Sequence, residues 1–121
     1  MIMQRDIKIG SAVVPMRATA AIPRLYRIKF KRDIMSDMQK LQAAADIAKS
    51  ENGQFEISDL EVFENVAYIM AKHANANIPS DIDEWLDGFE VFDIYTALPQ
   101  ILALWGDNVA TTSTSKKKIG K

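Results

Sequence analysis

The chain has 121 residues, 48% of them hydrophobic and 26% charged, with a formal net charge of -1 and no cysteine. That length suits one domain, the balance is that of a soluble globular chain, and the missing thiols exclude disulfides, thiolate metal sites and a cysteine nucleophile. Residues 1–49 carry ten Lys/Arg against four Asp/Glu, residues 50–107 one Lys against twelve, and residues 108–121 four Lys and no acid. Net charges of +6, -11 and +4 along one chain permit electrostatic docking between copies or onto partners. No run reaches the ~18 apolar residues of a membrane span, and the alternating start, Met1 to Ile9, lacks the apolar block of a signal peptide. A cytosolic protein is expected.

Residues 6–18 read as a β-hairpin. Asp6-Ile-Lys-Ile9 alternates, Gly10-Ser11 supplies a tight turn, and Pro15, lacking an N–H, puts the second strand at an edge or delays its start. Thr19 is the expected cap of a helix from Ala20, with Pro23 in its first turn. Asp33 caps the next helix, 34–49, where Met38, Leu41, Ala45 and Ala48 share a face. Asn52-Gly53 breaks it.

Ser58-Asp-Leu-Glu61 has the pattern of a capping box and opens a helix over 59–75. Leu60, Phe63, Ala67, Met70 and Ala74 line one face, widened by Val66 and Ile69. Ser80 caps a short acidic helix to Asp87, with Gly88 at its C-terminal end. A last helix runs from Phe89 or Val91 to Trp105, kinked or split near 95–98 by Pro99. Ile94, Leu98, Ile101, Leu102 and Trp105 form its apolar stripe. The expected fold is mainly α (α+β): an N-terminal hairpin and about five helices in one compact domain, 1–106. Thr111 to Lys121 cannot bury a core, so 107–121 reads as a disordered basic tail.

Catalytic chemistry finds little material here. His73 has Ile69 and Asn77 one turn away, so no second metal ligand stands beside it. Asp81, Asp83, Glu84 and Asp87 lack the ligand spacing of a calcium loop and read as acids compensating a helix dipole. There is no phosphate-binding glycine loop and no nucleophile elbow. No catalytic residue, cofactor or metal is expected. The chemistry-bearing features are surfaces: the cations Arg24, Arg27, Lys31 and Arg32 on the first helix, and the aromatics Trp85, Phe89 and Phe92, some of which a chain this small can leave exposed. Tyr26 and Phe30 interleave with the cations as in nucleic-acid-binding proteins, but Ile22, Tyr26 and Phe30 also form a core stripe.

Three stretches in order resemble the tail assembly chaperones of long-tailed phages and prophages of Gram-positive bacteria. They are Arg17-Ala-Thr-Ala-Ala-Ile-Pro-Arg-Leu-Tyr-Arg27 continuing through Arg32-Asp-Ile-Met-Ser-Asp-Met-Gln-Lys-Leu41, Val62-Phe-Glu-Asn-Val-Ala-Tyr-Ile-Met-Ala-Lys-His-Ala74, and Ile82-Asp-Glu-Trp-Leu-Asp-Gly-Phe-Glu-Val-Phe-Asp-Ile-Tyr95. A Ser/Thr stretch and a lysine run follow, and the resemblance covers roughly residues 6–118. Lys31 departs from it, because glycine is usual there before Arg-Asp. That leaves open whether the first two helices break at this point or run on as one bent helix.

The resemblance implies a non-enzymatic protein of the host bacterial cytoplasm, not expected in the mature virion. Its partners would be the tape measure protein, the major tail (tube) protein and further copies of itself. A membrane is not expected as a partner, nor is nucleic acid. The resemblance also implies a longer product made by frameshifting, for which Lys116, Lys117 and Lys118 mark the expected region; a solubilising basic tail explains the same lysines equally well. Two other readings stay open: a small nucleic-acid-binding regulator using Arg24–Arg32, and a structural neck or tail-completion protein.

Overall fold

A computed structural model describes residues 3–50 and 57–106, with side chains described for 3–46 and 60–106. The expected breaker Asn52-Gly53, the basic tail 107–121 and the side chains of Ala48 and Ser58 lie outside the described residues. Strands β1 (Gln4–Ile9) and β2 (Ala12–Arg17) are followed by α1 (Ile22–Phe30), α2 (Ile34–Ser50), α3 (Ile57–Ala74), α4 (Ile82–Leu86) and α5 (Asp93–Thr96). A further helical stretch, 98–106, follows α5 after one non-helical residue, Ala97. The expected hairpin-plus-helices fold is the one observed.

The hairpin turns where Gly10 permits it. Gly10 has φ +63°, Ser11 does not have positive φ, and Ile9 pairs with Ala12, the pattern of a type II′ turn with glycine first. A Cβ on Gly10 would also run into the Asp93 carboxylate of α5. Ile7, Ile9 and Met16 are buried on the inner face, with Val14 packed beside them.

Both edges of this two-stranded sheet carry a specific arrangement. Counting from the hydrogen-bonded closing pair Ile9–Ala12, residues Lys8 and Val13, then Asp6 and Pro15, are non-hydrogen-bonded pairs whose backbone polar groups face outward. On β1, the Gln100 side-chain amide fills that outward position: Lys8 N donates to its Oε1 at 3.0 Å, and its Nε2 donates to Lys8 O at 3.1 Å. On β2, Pro15 offers no donor to the outer edge.

At the core lies α3. Val62, Phe63, Val66, Ala67, Tyr68, Ile69, Met70 and Ala71 are all buried, so α3 is enclosed nearly all round, broader than the single expected face. The hairpin, α1, α2 and α4 pack around it. Each large side chain so removed from water contributes about 1.5–3 kcal/mol. Tyr68 donates to Pro79 O at 2.6 Å, and Lys72 Nζ donates to Ala76 O and Ile78 O at 2.9 and 2.8 Å, which ties the following loop back onto α3. No described helix is long and apolar enough to cross a membrane.

Several boundaries differ from expectation. The first helix begins at Ile22, because Thr19 folds a turn of its own, accepting Ala21 N at 3.2 Å on Oγ1 and Ile22 N at 3.0 Å on its carbonyl. Ser58 lies within α3, so it is not the residue preceding the first turn. Asp81 and not Ser80 is the N-cap residue of α4, and Gly88 is not left-handed; its N–H bonds to Trp85 O at 3.2 Å. The last helix starts only at Asp93, whereas the split expected from Pro99 does fall within 95–98, at Ala97. Pro99 thereby occupies the first turn of the following stretch, where a missing N–H costs nothing.

The first two helices do break, at Lys31. Its φ of 60° and ψ of 34° are left-handed, and its N–H closes α1 on Arg27 O at 2.9 Å. Asp33 then caps α2 through Met35 N at 3.0 Å, as expected. A non-glycine residue in this conformation costs about 1 kcal/mol. Lys31→Gly is therefore expected to stabilise the fold by about 0.5–1 kcal/mol, read as a higher urea midpoint at unchanged slope; a lower midpoint would refute it.

Candidate interaction surface

The outer face of α1 is built by what the inner face holds down. Ile22 and Tyr26 are fully buried and Phe30 half-buried, with the Tyr26 and Phe30 rings 5.1 Å apart. The Tyr26 hydroxyl donates to Asp37 Oδ2 at 2.9 Å, and Arg32 binds the same carboxylate through Nε and Nη2, each at 2.7 Å. Asp37 is only 2% exposed. The Arg32 guanidinium holds its carboxyl below the ordinary value of 3.8, against the opposing effect of burial. Burial, then the Asp37 carboxylate, pushes the Tyr26 hydroxyl well above its ordinary range.

This network sorts the cations. Arg32, expected as a free contact residue, is instead bound at both nitrogens to Asp37 across the α1–α2 turn. Lys29 donates to Ser80 O at 3.0 Å and lies 5.7 Å from the Tyr68 ring centre. Arg24, Arg27 and Lys31 remain exposed; Arg24 and Arg27 share one face of α1 with Ile28, itself 55% exposed, and Lys31 follows in the left-handed turn that ends the helix. Tyr26 and Phe30 point inward, so the aromatics do not interleave with the outward cations.

The aromatics divide as well. Trp85, expected at a contact surface, is 5% exposed and belongs to the core. Its ring meets Tyr68 edge-on at 5.5 Å and Phe89 at 5.1 Å. Trp85 is the main anchor of the one-turn α4, with Ile82 and Leu86 packed partly buried beside it. Phe89 is half-buried against it. Phe92 is 80% exposed and its neighbour Val91 70%, on the turn between α4 and α5. Nothing in the periodicity marked Val91 as exposed, because the expected helix, from Phe89 or Val91, would have taken it in.

Beside this pair run two adjoining clefts that share Glu64 of α3 and Leu86 of α4. One, of about 370 Å³, is lined by the apolar Phe30, Ile82 and Leu86 together with Glu61, Glu64, Asp83, Asn65 and the Asp37-bound Arg32. The other, of about 280 Å³, has Leu86, Phe89 and Val91 with Glu64, Asp87 and Glu90. Tyr95 donates to Glu64 at 2.6 Å, which fixes that carboxylate and pushes the tyrosine up to about 12. Clefts lined by apolar side chains and several carboxylates suit an amphipathic segment with cations beside its apolar positions.

His73 stands elsewhere, its Nε2 2.8 Å from Thr19 Oγ1. Burial and then the nearby Arg17 charge lower its pKa, favouring a neutral ring that ties the β2–α1 connection to α3. Among the described residues no three metal-ligating side chains gather. No family model, no curated protein and no solved structure matches the chain.

Proposed function

We propose that this chain is a tail assembly chaperone of a long-tailed phage or prophage: a non-enzymatic protein of the host cytoplasm that binds the tape measure protein and helps recruit tail tube subunits. Three ordered stretches and the Ser/Thr-lysine tail support the family resemblance. The observation that carries a binding role is the exposed Val91–Phe92 pair beside an acid-rimmed apolar cleft. A long helical client exposes apolar stripes before assembly, and many small adaptors with such a patch can cover them through weak, displaceable contacts. The longer frameshifted product is part of the same proposal, with its junction at Lys116–Lys118.

Co-expression with a tape measure protein is expected to bring that client into the soluble fraction. Phe92→Ser should weaken the complex by about 2 kcal/mol, roughly 30-fold, as an exposed aromatic anchor does, while circular dichroism of the free chain stays unchanged. A client that remains insoluble beside abundant chaperone would overturn the proposal. Exposed Arg24, Arg27 and Lys31 favour a second reading, a nucleic-acid-binding regulator, which requires retention on duplex or single strands with steep salt dependence. A structural neck or tail-completion protein would instead appear in mass spectra of purified particles.

A further inference from the structure

The cleft beside α5 holds acids with no cation to balance them. It is lined by the apolar Leu86, Phe89 and Val91 and by the carboxylates Glu64, Asp87 and Glu90, and among the described residues no Lys or Arg lines it. The adjoining cleft differs, because Arg32 stands among its acids. Val91 is 70% exposed, so the cleft leaves a large aliphatic side chain in water. The chain itself supplies a complement. Residues 108–121 carry four Lys and no acid, and Ile119 is the one large apolar side chain within Lys116-Lys-Lys-Ile-Gly-Lys121.

We propose that the segment Lys116–Lys121 folds back onto this cleft of its own molecule, Ile119 against Leu86, Phe89 and Val91 and the lysines against Glu64, Asp87 and Glu90. Unlike charges around an apolar contact select this pairing. Connectivity supports it. Ile94 and Tyr95 also line the cleft, and the chain runs from them directly through the helical stretch 98–106. At about 1.5 Å of rise per helical residue, Gly106 lies within about 20 Å of Tyr95. The steps from Gly106 to Lys116 reach at most about 35 Å, which exceeds that gap. Thr111-Thr-Ser-Thr-Ser115, in between, carries no charge to compete with the lysines.

So few groups make a weak contact, and the tether is what populates it. Attachment to the same chain gives the segment an effective concentration on the order of 1 mM, so an intrinsic dissociation constant of about 1 mM fills the cleft about half the time. The same segment on a second molecule, at micromolar concentration, gains no such advantage. Contact therefore forms within one molecule. An amphipathic client aimed at this cleft would first displace the tail, and that consequence rests on the proposed function. The docking does not, and its test needs no client.

The chain has no cysteine, so Ser115→Cys in the full chain takes a single nitroxide spin label. At about 50 mM salt the amide signals of residues 86–95 should lose at least half their intensity to the label, and those of α1 much less. Raising the salt to about 500 mM should restore them, as screening shortens the reach of the charges. Asp87→Lys/Glu90→Lys, which leaves Glu64 to its Tyr95 bond, and Lys116→Ser/Lys117→Ser/Lys118→Ser should each at least halve the broadening. Ile119→Ser alters no charge and should halve it too. Broadening unchanged by any of these three variants comes from the tether alone and overturns the proposal. Broadening spread evenly over the surface overturns it as well. So does equal broadening of isotope-labelled copies without a spin label when they are mixed with spin-labelled ones, because the contact would then lie between molecules.

Discussion

Trp85→Ala is expected to lower stability by about 3–5 kcal/mol, the range for emptying a buried aromatic site, and the melting temperature by about 15 °C or more. The loss has two parts. Trp85 fills the space between α4 and α3, and its edge-on contacts with Tyr68 and Phe89 each add about 0.5–1.5 kcal/mol to the burial. Trp85 is the one fully enclosed side chain of the five-residue α4, with Ile82 and Leu86 only partly buried beside it, so the segment from Ala76 to Val91 should lose hydrogen-exchange protection first. Phe92→Ala, seven residues on, should change stability by less than about 0.5 kcal/mol because the ring is already in water. If Trp85→Ala proved as mild as Phe92→Ala, the core described here would be wrong at α4.

Asp37→Ala is expected to cost about 2–4 kcal/mol at pH 7. It strips the Tyr26 hydroxyl of its acceptor inside the core and releases the Arg32 clamp across the α1–α2 turn. Arg32 is half-exposed and can be rehydrated, which keeps the figure below that of a fully buried pair. The sign with pH follows from the lowered carboxyl. A group whose pKa is depressed by folding contributes fully above its unfolded value, here 3.8, and loses that contribution as pH falls through the folded value. Urea midpoints of parent and Asp37→Ala should therefore differ most near neutrality and converge below about pH 4. A gap of equal size at pH 7 and pH 3 would show that the carboxylate is not the source. Tyr26→Phe should cost about 1 kcal/mol and add less than its full value to Asp37→Ala.

Periodicity made much of this fold legible. Alternation with Gly10-Ser11 gave the hairpin, and the helical spacing of Met38, Leu41, Phe63, Ala67 and Met70 gave the packed faces of α2 and α3. What escaped was set by three-dimensional company. Thr19, Ser58 and Ser80 all have capping chemistry, yet none is the N-cap of a described helix, because side-chain chemistry permits a cap without compelling one. Asp37 is one acid among sixteen in the sequence, and only the fold brings Tyr26 and Arg32 to it. Trp85 and Phe92 look alike as aromatics among acids. The turn at 87–92 buries one and leaves the other outside, and no spacing rule distinguishes them. At Lys31 the departure from glycine was visible, but the backbone reversed there all the same, held by Asp33 on one side and the Arg32–Asp37 clamp across it.

The Gln100 amide on Lys8 and the proline at the opposite position of β2 have a consequence for crowding. An unguarded strand edge recruits further strands by backbone bonding alone, without regard to sequence, and such growth has no natural end. Here one edge is already occupied by an amide that imitates a neighbouring strand, and the other lacks a donor midway. Recruitment along the hairpin is thus obstructed at one position on each edge. Encounters between molecules are left to side-chain surfaces, whose contacts depend on matching charge and shape and come apart when either changes. Removing the guard with Gln100→Ala would reopen one edge, and with it a route to irreversible fibres.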